Sequence, residues 1–302
     1  MRIIKIIKRY IRSPRKLIRT LGKYGCFNWL SDRHYLKLVY WAETGNRLNL
    51  DAPVTYNEKL QWLKLYDRKP EYSKYVDKYA VRSYVSETIG EQYLIPLFGV
   101  YNRSEEIDFA SLPNRFVLKC THGSHCNIIC TDKKDFNFDN AASKLTKWLK
   151  QSWYWFGREW PYQKVRGKIV CEQYLGDIAS VPYDYKIMCF NGEPNIIQIH
   201  KKDINGTHTI DFYDMDGGLL PFRKIGFKNS NVFNIDVESL EEMLELARKL
   251  SKGTLYLRTD FYLVNEKIYF GELTFFDSCG FIDFEPKESN IFLGKMIKFD
   301  VG

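Results

Sequence analysis

The sequence predicts an α+β protein, and two observations carry that reading. Three pairs of strand-forming runs, within 116–130, 184–200 and 255–274, each close around a short polar turn, as antiparallel hairpins do. Before and between them lie segments whose apolar residues recur at helical spacing.

The chain opens on a basic arm. Residues 1–23 hold nine Lys or Arg and no acid, leaving 36 basic against 37 acidic side chains elsewhere (45 less those nine), so the arm carries the whole net charge of +8. Ile3, Ile4, Ile7, Tyr10 and Ile11 follow helical spacing, and Ser13-Pro14 reads as an N-cap and first helical residue of a second short helix through Leu17, Ile18 and Leu21. A basic amphipathic helix suits an anionic membrane surface; packed on its own domain, it would simply present a solvated basic side. The near-neutral body lacks the broad basic face that nucleic acid requires. Charges interrupt every candidate signal-peptide core, and no apolar run approaches the roughly 20 residues that span a bilayer. Seven cysteines without an export signal imply reduced thiols in a cytoplasmic protein.

Thr55-Tyr-Asn-Glu58 is a capping box that starts a helix carrying Leu60 and Leu63 inward, closed by Asp67-Arg-Lys-Pro70. A second helix is expected from about Glu71 through Lys78, Val81 and Tyr84 to Gly90. The first hairpin follows, with Lys119 ending one strand and Thr121 to Asn127 as its loop. Gly123 permits one close backbone approach to a phosphate. Cys120, His122, His125, Cys126 and Cys130 also form a group of soft ligands, but neither a C-x-x-C pair nor a second ligand pair at finger spacing follows, and the cysteines serve as readily as small buried residues. Phe138 to Trp153 reads as a helix, and Trp153 to Tyr162 as an aromatic stretch that is either core or a platform for a sugar or acyl group.

Lys168 to Leu175 is a buried strand ending in polar groups. Asp184 to His200 is a hairpin about Asn191-Gly192, Thr207 to Tyr213 a further strand, and Val237 to Leu250 a helix. The last hairpin turns at Asn265-Glu266-Lys267. Arg258, Asp260 and Tyr262 share one face of its first strand, Glu272 and Thr274 one face of its second. Two carboxylates brought together there repel, and a Mg²⁺ ion with phosphate oxygens relieves the repulsion. Arg258 would lie beside the polyphosphate. The alternative is a hairpin with an ordinary polar face.

This order of parts resembles the ATP-grasp superfamily: a strand with Lys119, a polar loop, a strand ending in Glu172, an Asp184-x-Lys186 strand, an R-x-D strand and an E-x-T strand. The last two are similar to the R-x-D and E-x-N strands of D-alanine–D-alanine ligases, with Thr274 in place of Asn. Thr55-Tyr-Asn-Glu-Lys-Leu-Gln-Trp-Leu-Lys, Asp77-Lys78-Tyr-Ala-Val-Arg82, Phe116-Val-Leu-Lys-Cys-Thr-His-Gly-Ser and Gly271-Glu-Leu-Thr-Phe-Phe look like the TupA-like branch, over about residues 40–300.

The resemblance implies two α+β subdomains clasping ATP: an arm over 1–50, a helical portion over 51–110, a nucleotide-binding subdomain over 111–180 and a metal-binding one over 181–302. It implies Mg²⁺ on Asp260, Glu272 and Thr274. It implies ATP held by Lys78, Lys119, Thr121, His122, Gly123, Ser124, Asp184 and Lys186, with adenine against Glu172, Gln173, Tyr174 and Leu175. Arg258, Lys186 and Lys119 would take up developing charge. The implied reaction joins an amino acid or other amine to a sugar acid or glycan acceptor through an acyl phosphate, in the making of a bacterial surface polysaccharide. A glycan kinase on the same fold remains an alternative. So does a glycosyltransferase, for which Asp214-Met-Asp216 has the D-x-D spacing.

Overall fold

The computed structural model describes residues 14–176, 182–202 and 206–299. The first half of the basic arm, residues 1–13, lies outside them. The rest of residues 1–50 is no separate arm. Helix α1 (Pro14–Lys23) lies on α2 (Asp32–Thr44), where Arg15 donates to the carbonyls of Ala42 and Glu43 and Arg19 pairs with Glu43. Tyr35, Leu36, Val39 and Tyr40 of α2 form a core with Leu48 and Leu50 that also takes in Trp62 and Phe281.

Helix α3 (Tyr56–Tyr66) starts with the expected capping box, Thr55 and Glu58 each satisfying the other's backbone N–H. The helix expected over 71–90 is two, α4 (Tyr72–Val76) and α5 (Val81–Thr88). Asp77 makes the break: its Oδ1 accepts from the N–H groups of Tyr79 and Ala80, offering the backbone a turn in place of the helix.

Strands β1 (Leu97–Tyr101), β2 (Phe116–Cys120), β3 (Asn127–Cys130) and β4 (Ile169–Gln173) form an antiparallel sheet in the order β1-β4-β2-β3. One face, with Phe116, Leu118, Cys120, Ile169 and Cys171, packs on Leu145 of helix α6 (Phe138–Leu149). The other carries Lys119 and Glu172. A short helix α7 (Tyr154–Gly157) follows α6.

The larger sheet holds β5 (Asp184–Phe190), β6 (Glu193–Lys202), β7 (His208–Tyr213), β9 (Tyr256–Val264) and β10 (Lys267–Thr274) in the order β10-β9-β5-β6-β7, again antiparallel throughout. Tyr185, Ile187, Leu257 and Phe261 line its apolar face, within the core that includes Met243, Ala247 and Leu250 of α8 (Val237–Ser251). A two-stranded ribbon, β8 (Arg223–Lys224) with β11 (Phe284–Glu285), and helix α9 (Ser289–Met296) complete the fold.

Two irregularities set what faces the cleft. The β9–β10 turn is two residues long, Asn265 and Glu266, both left-handed, and taken alone it would place Glu272 opposite Thr259 on the apolar face. Gly271 is an extra residue in β10, so Glu272 pairs with Asp260 and Thr274 with Arg258. A Cβ at Gly271 would stand 3.0 Å from the Asp260 carbonyl oxygen. The offset assigned to a three-residue turn comes instead from this bulge. A second one follows Pro194: Cys189 pairs with Pro194 but Met188 with Ile196, which turns Gln198 and His200 onto the face of Lys186 and Asp184.

Candidate active site

Arg258 lies at the centre of the polar face of the large sheet and is 6 % exposed. Its Nε donates to Asp260 Oδ1 at 2.7 Å and its Nη2 to Asp260 Oδ2 at 2.8 Å, a bidentate pair. Nη1 meets Asp277 Oδ1 at 2.8 Å, while Nη2 also donates to Thr274 Oγ1 at 3.1 Å and lies 3.7 Å from Glu272 Oε1. Lys186, opposite Asp260 in the β5–β9 ladder, donates to Asp260 Oδ2 and lies 2.7 Å from Asp184 Oδ2. Lys78, released from helix by the turn at Asp77, reaches Glu272 Oε2 at 2.8 Å, and its backbone N–H donates to the Thr121 carbonyl. One residue thereby ties the two sheets together. On the small sheet, Lys119 Nζ meets Glu172 Oε2 at 2.6 Å, with Arg82 3.9 Å from Oε1.

The electrostatics are those of a balanced network. Burial pushes the Asp260 carboxyl up against the opposing pull of Arg258 and Lys186. Burial would also raise Glu272, but Lys78, Lys186 and Arg258 outweigh it and hold that carboxyl far below the usual range. Burial would lower the ammonium groups of Lys78 and Lys186, yet Glu272 beside the first and Asp184 and Asp260 beside the second raise both.

Asp260 is 1 % exposed, and Glu272 half-buried. Thr274, expected to ligate metal, accepts a hydrogen bond from Arg258. Asp260 and Glu272, facing each other across the strand pair, are hard oxygen donors of the type Mg²⁺ takes, and in that respect the residues fit the ion. Here their oxygens are neutralised by Lys78, Lys186 and Arg258, and among the described residues no group of three His, Cys, Asp or Glu stands ready for a metal.

His122 Nε2 lies 3.2 Å and 3.1 Å from the Trp148 and Gln151 carbonyls, so the ring fastens the loop over 121–127 to the end of α6. Thr121 Oγ1 accepts from the Lys168 N–H, and Trp153 covers Gly123. Ser124 is half-buried and His125 exposed with φ 59°. Cys120 and Cys130 belong to the sheet core. Gln173 is exposed at the end of β4, with Tyr174 and Leu175 half-buried after it.

Asp277 was missed. It directly follows the Phe-Phe pair after β10, five residues past Glu272 and beyond the end of the strand, where alternation no longer assigns a face. Its carboxyl, which burial would raise, is held low chiefly by Arg258 and then Lys224. The aromatic stretch divides: Tyr154 is buried and Trp160 and Tyr162 pack on the core, while Trp155 and Phe156 stay partly exposed. Arg158 is 2 % exposed, stacks on Tyr35 and Trp155, each 4.5 Å from ring centroid to guanidinium carbon, and donates to the carbonyls of Phe27, Asn28 and Leu30. The D-x-D spacing at 214–216 is a turn: Asp214 Oδ1 accepts from the N–H groups of Asp216 and Gly218.

A family model described as TupA-like ATPgrasp matches residues 58–298. No curated protein matches the chain in sequence. Solved structures similar to it include a D-alanine–D-alanine ligase from Bacillus anthracis complexed with ATP (14 % identity, 66 % of this chain and 53 % of that one, TM-score 0.39). The D-alanine–D-alanine ligase from Helicobacter pylori matches at 12 % identity over 80 % of this chain and 69 % of its own, TM-score 0.43. The ATP-grasp ligase PsnB, complexed with a phosphomimetic variant of its minimal precursor, Mg and ADP, matches at 12 % identity over 92 % and 74 %, TM-score 0.43. The chain spans about half the length of the Bacillus anthracis ligase.

Proposed function

The chain belongs to the TupA-like ATP-grasp family and is an ATP-grasp enzyme; from that premise we propose that it is an ATP- and Mg²⁺-dependent carboxylate–amine ligase. Its acceptors would be an amino acid or other amine and a sugar acid of a bacterial surface polysaccharide. The observation that carries this reading is the buried network of Arg258, Lys186 and Lys78 with Asp260, Glu272 and Asp277.

A carboxylate is a poor electrophile at neutral pH. Its oxygen would attack the γ-phosphorus of ATP, ADP would leave, and the resulting acyl phosphate would lose inorganic phosphate when an amine forms the C–N bond. The groups at hand suit that sequence. Phosphate oxygens are alternative partners for Lys78, Lys186 and Arg258, so charge developing on the transferred group meets donors already oriented. Asp277 holds the guanidinium from the side away from Asp260. Lys119 stands ready for the nucleotide phosphates, and the strand end Glu172–Leu175 for adenine. Asp260 and Glu272 would hold Mg²⁺, which supplies charge neutralisation on the phosphates. No protein nucleophile is required.

The test is one incubation of the enzyme with ATP, Mg²⁺ and panels of uronic acids and amino acids, read by mass spectrometry. The expected product is an amide, formed with ADP and phosphate only when both organic substrates are present. A stable phosphorylated sugar formed without any amine would replace ligation by kinase chemistry. Residues 1–23 would hold the enzyme peripherally at an anionic inner membrane face, near a lipid-linked acceptor. Among the described residues no helix is long and apolar enough to cross a membrane.

A further inference from the structure

Single exposed apolar side chains are ordinary, but several large ones gather here where two segments meet. Tyr24 and Trp29 lie in the turn after α1 and are 81 % and 80 % exposed; Leu17 of α1 and Trp155 and Phe156 of α7 are exposed as well. Two buried side chains bring these segments together. Arg158 has its guanidinium carbon 4.5 Å from the Trp155 ring and donates to the carbonyl of Asn28, the residue before Trp29. Tyr35 donates its hydroxyl to the Phe156 carbonyl at 3.1 Å, and a Cβ at Gly22, near the end of α1, would stand 3.6 Å from that same hydroxyl.

The turn satisfies its own polar groups to a degree that water does not require. The N–H groups of Tyr24, Gly25, Cys26, Asn28 and Leu30 donate to carbonyls within the turn or at the end of α1. The carbonyls of Phe27, Asn28 and Leu30 accept from Arg158, and that of Cys26 accepts the Trp29 indole N–H at 3.1 Å. A solvated turn can leave such groups to water; one that enters the apolar part of a bilayer cannot. Trp29 thus presents a ring whose one polar group is already paired. Amphipathic aromatic rings flanked by Lys and Arg are the side chains that lodge at a membrane interface. The flanking charge here has one sign: residues 1–23 hold nine Lys or Arg and no acid, with Arg15, Lys16 and Arg19 on α1 itself. An anionic surface complements it.

We propose that the turn over 24–30, with the exposed rings of α7, is an insertion surface for an anionic membrane, holding by apolar contact what residues 1–23 attract by charge. It deepens the peripheral attachment proposed above and is independent of the ligase reading, and insertion can be read apart from charge. The full chain is mixed with vesicles of phosphatidylcholine and phosphatidylglycerol, with or without bromine on the acyl chains. Brominated vesicles should quench the tryptophan fluorescence of the protein that floats with them. Raising the salt should release protein but leave the quenching of bound molecules unchanged, because insertion is not screened. Trp29→Ser should remove much of that quenching and weaken partitioning by about 10-fold, as the loss of one large buried apolar side chain implies. Trp29→Phe should restore flotation while quenching stays reduced. Tyr24→Ser should weaken partitioning and keep the quenching. Val237→Ser, 72 % exposed at the start of α8, should change neither. All three positions are exposed, and unchanged thermal melts confirm that the variants fold. Flotation without quenching overturns the insertion surface and leaves the charge attachment of residues 1–23 standing; no flotation overturns both. An equal loss in Val237→Ser overturns the assignment to this surface. A Trp29-dependent dimer in sedimentation, without quenching, would assign the surface to a second copy of the chain and overturn the membrane reading.

Discussion

Two arginines are buried almost equally in this molecule, and their surroundings separate a structural role from a chemical one. Arg158 is enclosed by aromatic rings and by the backbone carbonyls of Phe27, Asn28 and Leu30, with Asp32 Oδ1 3.5 Å away. Arg258 is held by the carboxylates of Asp260 and Asp277, with Glu272 close by. Carbonyls and rings are fixed by the fold, so Arg158 cannot change partners without local unfolding. Carboxylates are anions that a phosphate can imitate, and two of the three are themselves shared with lysines. Burial of a cation therefore says little about function. The exchangeability of its partners says more.

The contrast breaks most visibly on removal of each side chain. Arg258→Ala should lower kcat by about 100-fold or more and, by leaving Asp260 and Asp277 without their partner, destabilise the fold by about 3–5 kcal/mol. Arg158→Ala should cost about 3 kcal/mol of stability yet leave kcat per folded molecule unchanged. Thermal melts beside active-site-normalised kinetics check both, and a catalytic loss in Arg158→Ala would remove the distinction. Asp260→Asn comes next. Because its carboxylate compensates two buried cations, this variant should lose both turnover and about 3 kcal/mol of stability, where a solvent-facing ligand would have lost turnover alone.

Glu272→Gln sharpens the comparison more gently, through pH. The folded-state pKa of Glu272 is depressed, so its contribution to stability is fully present above the unfolded value of about 4.3 and is lost as pH falls towards the folded one. The gap in Tm between wild type and Glu272→Gln should be largest near neutrality and close as pH falls below about 5. A gap that does not change with pH would mean that the cations around Glu272 do not hold it ionised. The smallest effect is expected at the N-terminus. A chain beginning at Pro14 should keep full activity on soluble substrates and lose salt-sensitive flotation with anionic vesicles, since exposed charges are screened over about 10 Å at 0.1 M salt. Equal flotation of the two chains would place the attachment elsewhere. The cut belongs before α1, because Arg15 and Arg19 of that helix are fastened to the end of α2.

Much of this architecture was legible from alternation and turn chemistry. The hairpin at Asn191-Gly192, the capping box at Thr55 and helix α8 needed only local information. So did the placing of Arg258 and Asp260 on one face of a strand, whereas Lys186, 74 residues from Asp260 in the chain, came to them only through the resemblance. What stayed hidden depends on contacts between distant segments. The apolar spacing of 71–90 runs through Asp77 as if the helix were continuous, because a side chain accepting from the next turn leaves no mark on periodicity. His122 in a glycine-containing loop reads as a ligand until α6 is seen to end beside it. Gln198 and His200 could not be placed on the site face at all, since simple counting from the turn puts them in the core.

That miscount has a consequence for comparing relatives. Gly271 and Asn195 each add one position to a strand, and each changes the parity of everything beyond it. Deleting Gly271 would leave a well-paired hairpin whose acidic residue points into oil, an inert protein with an intact outline. An alignment that absorbs either residue into a neighbouring gap would likewise assign the wrong side chains to the cleft while every strand still superposed. The chemistry of this face is written in odd and even numbers as much as in residue types.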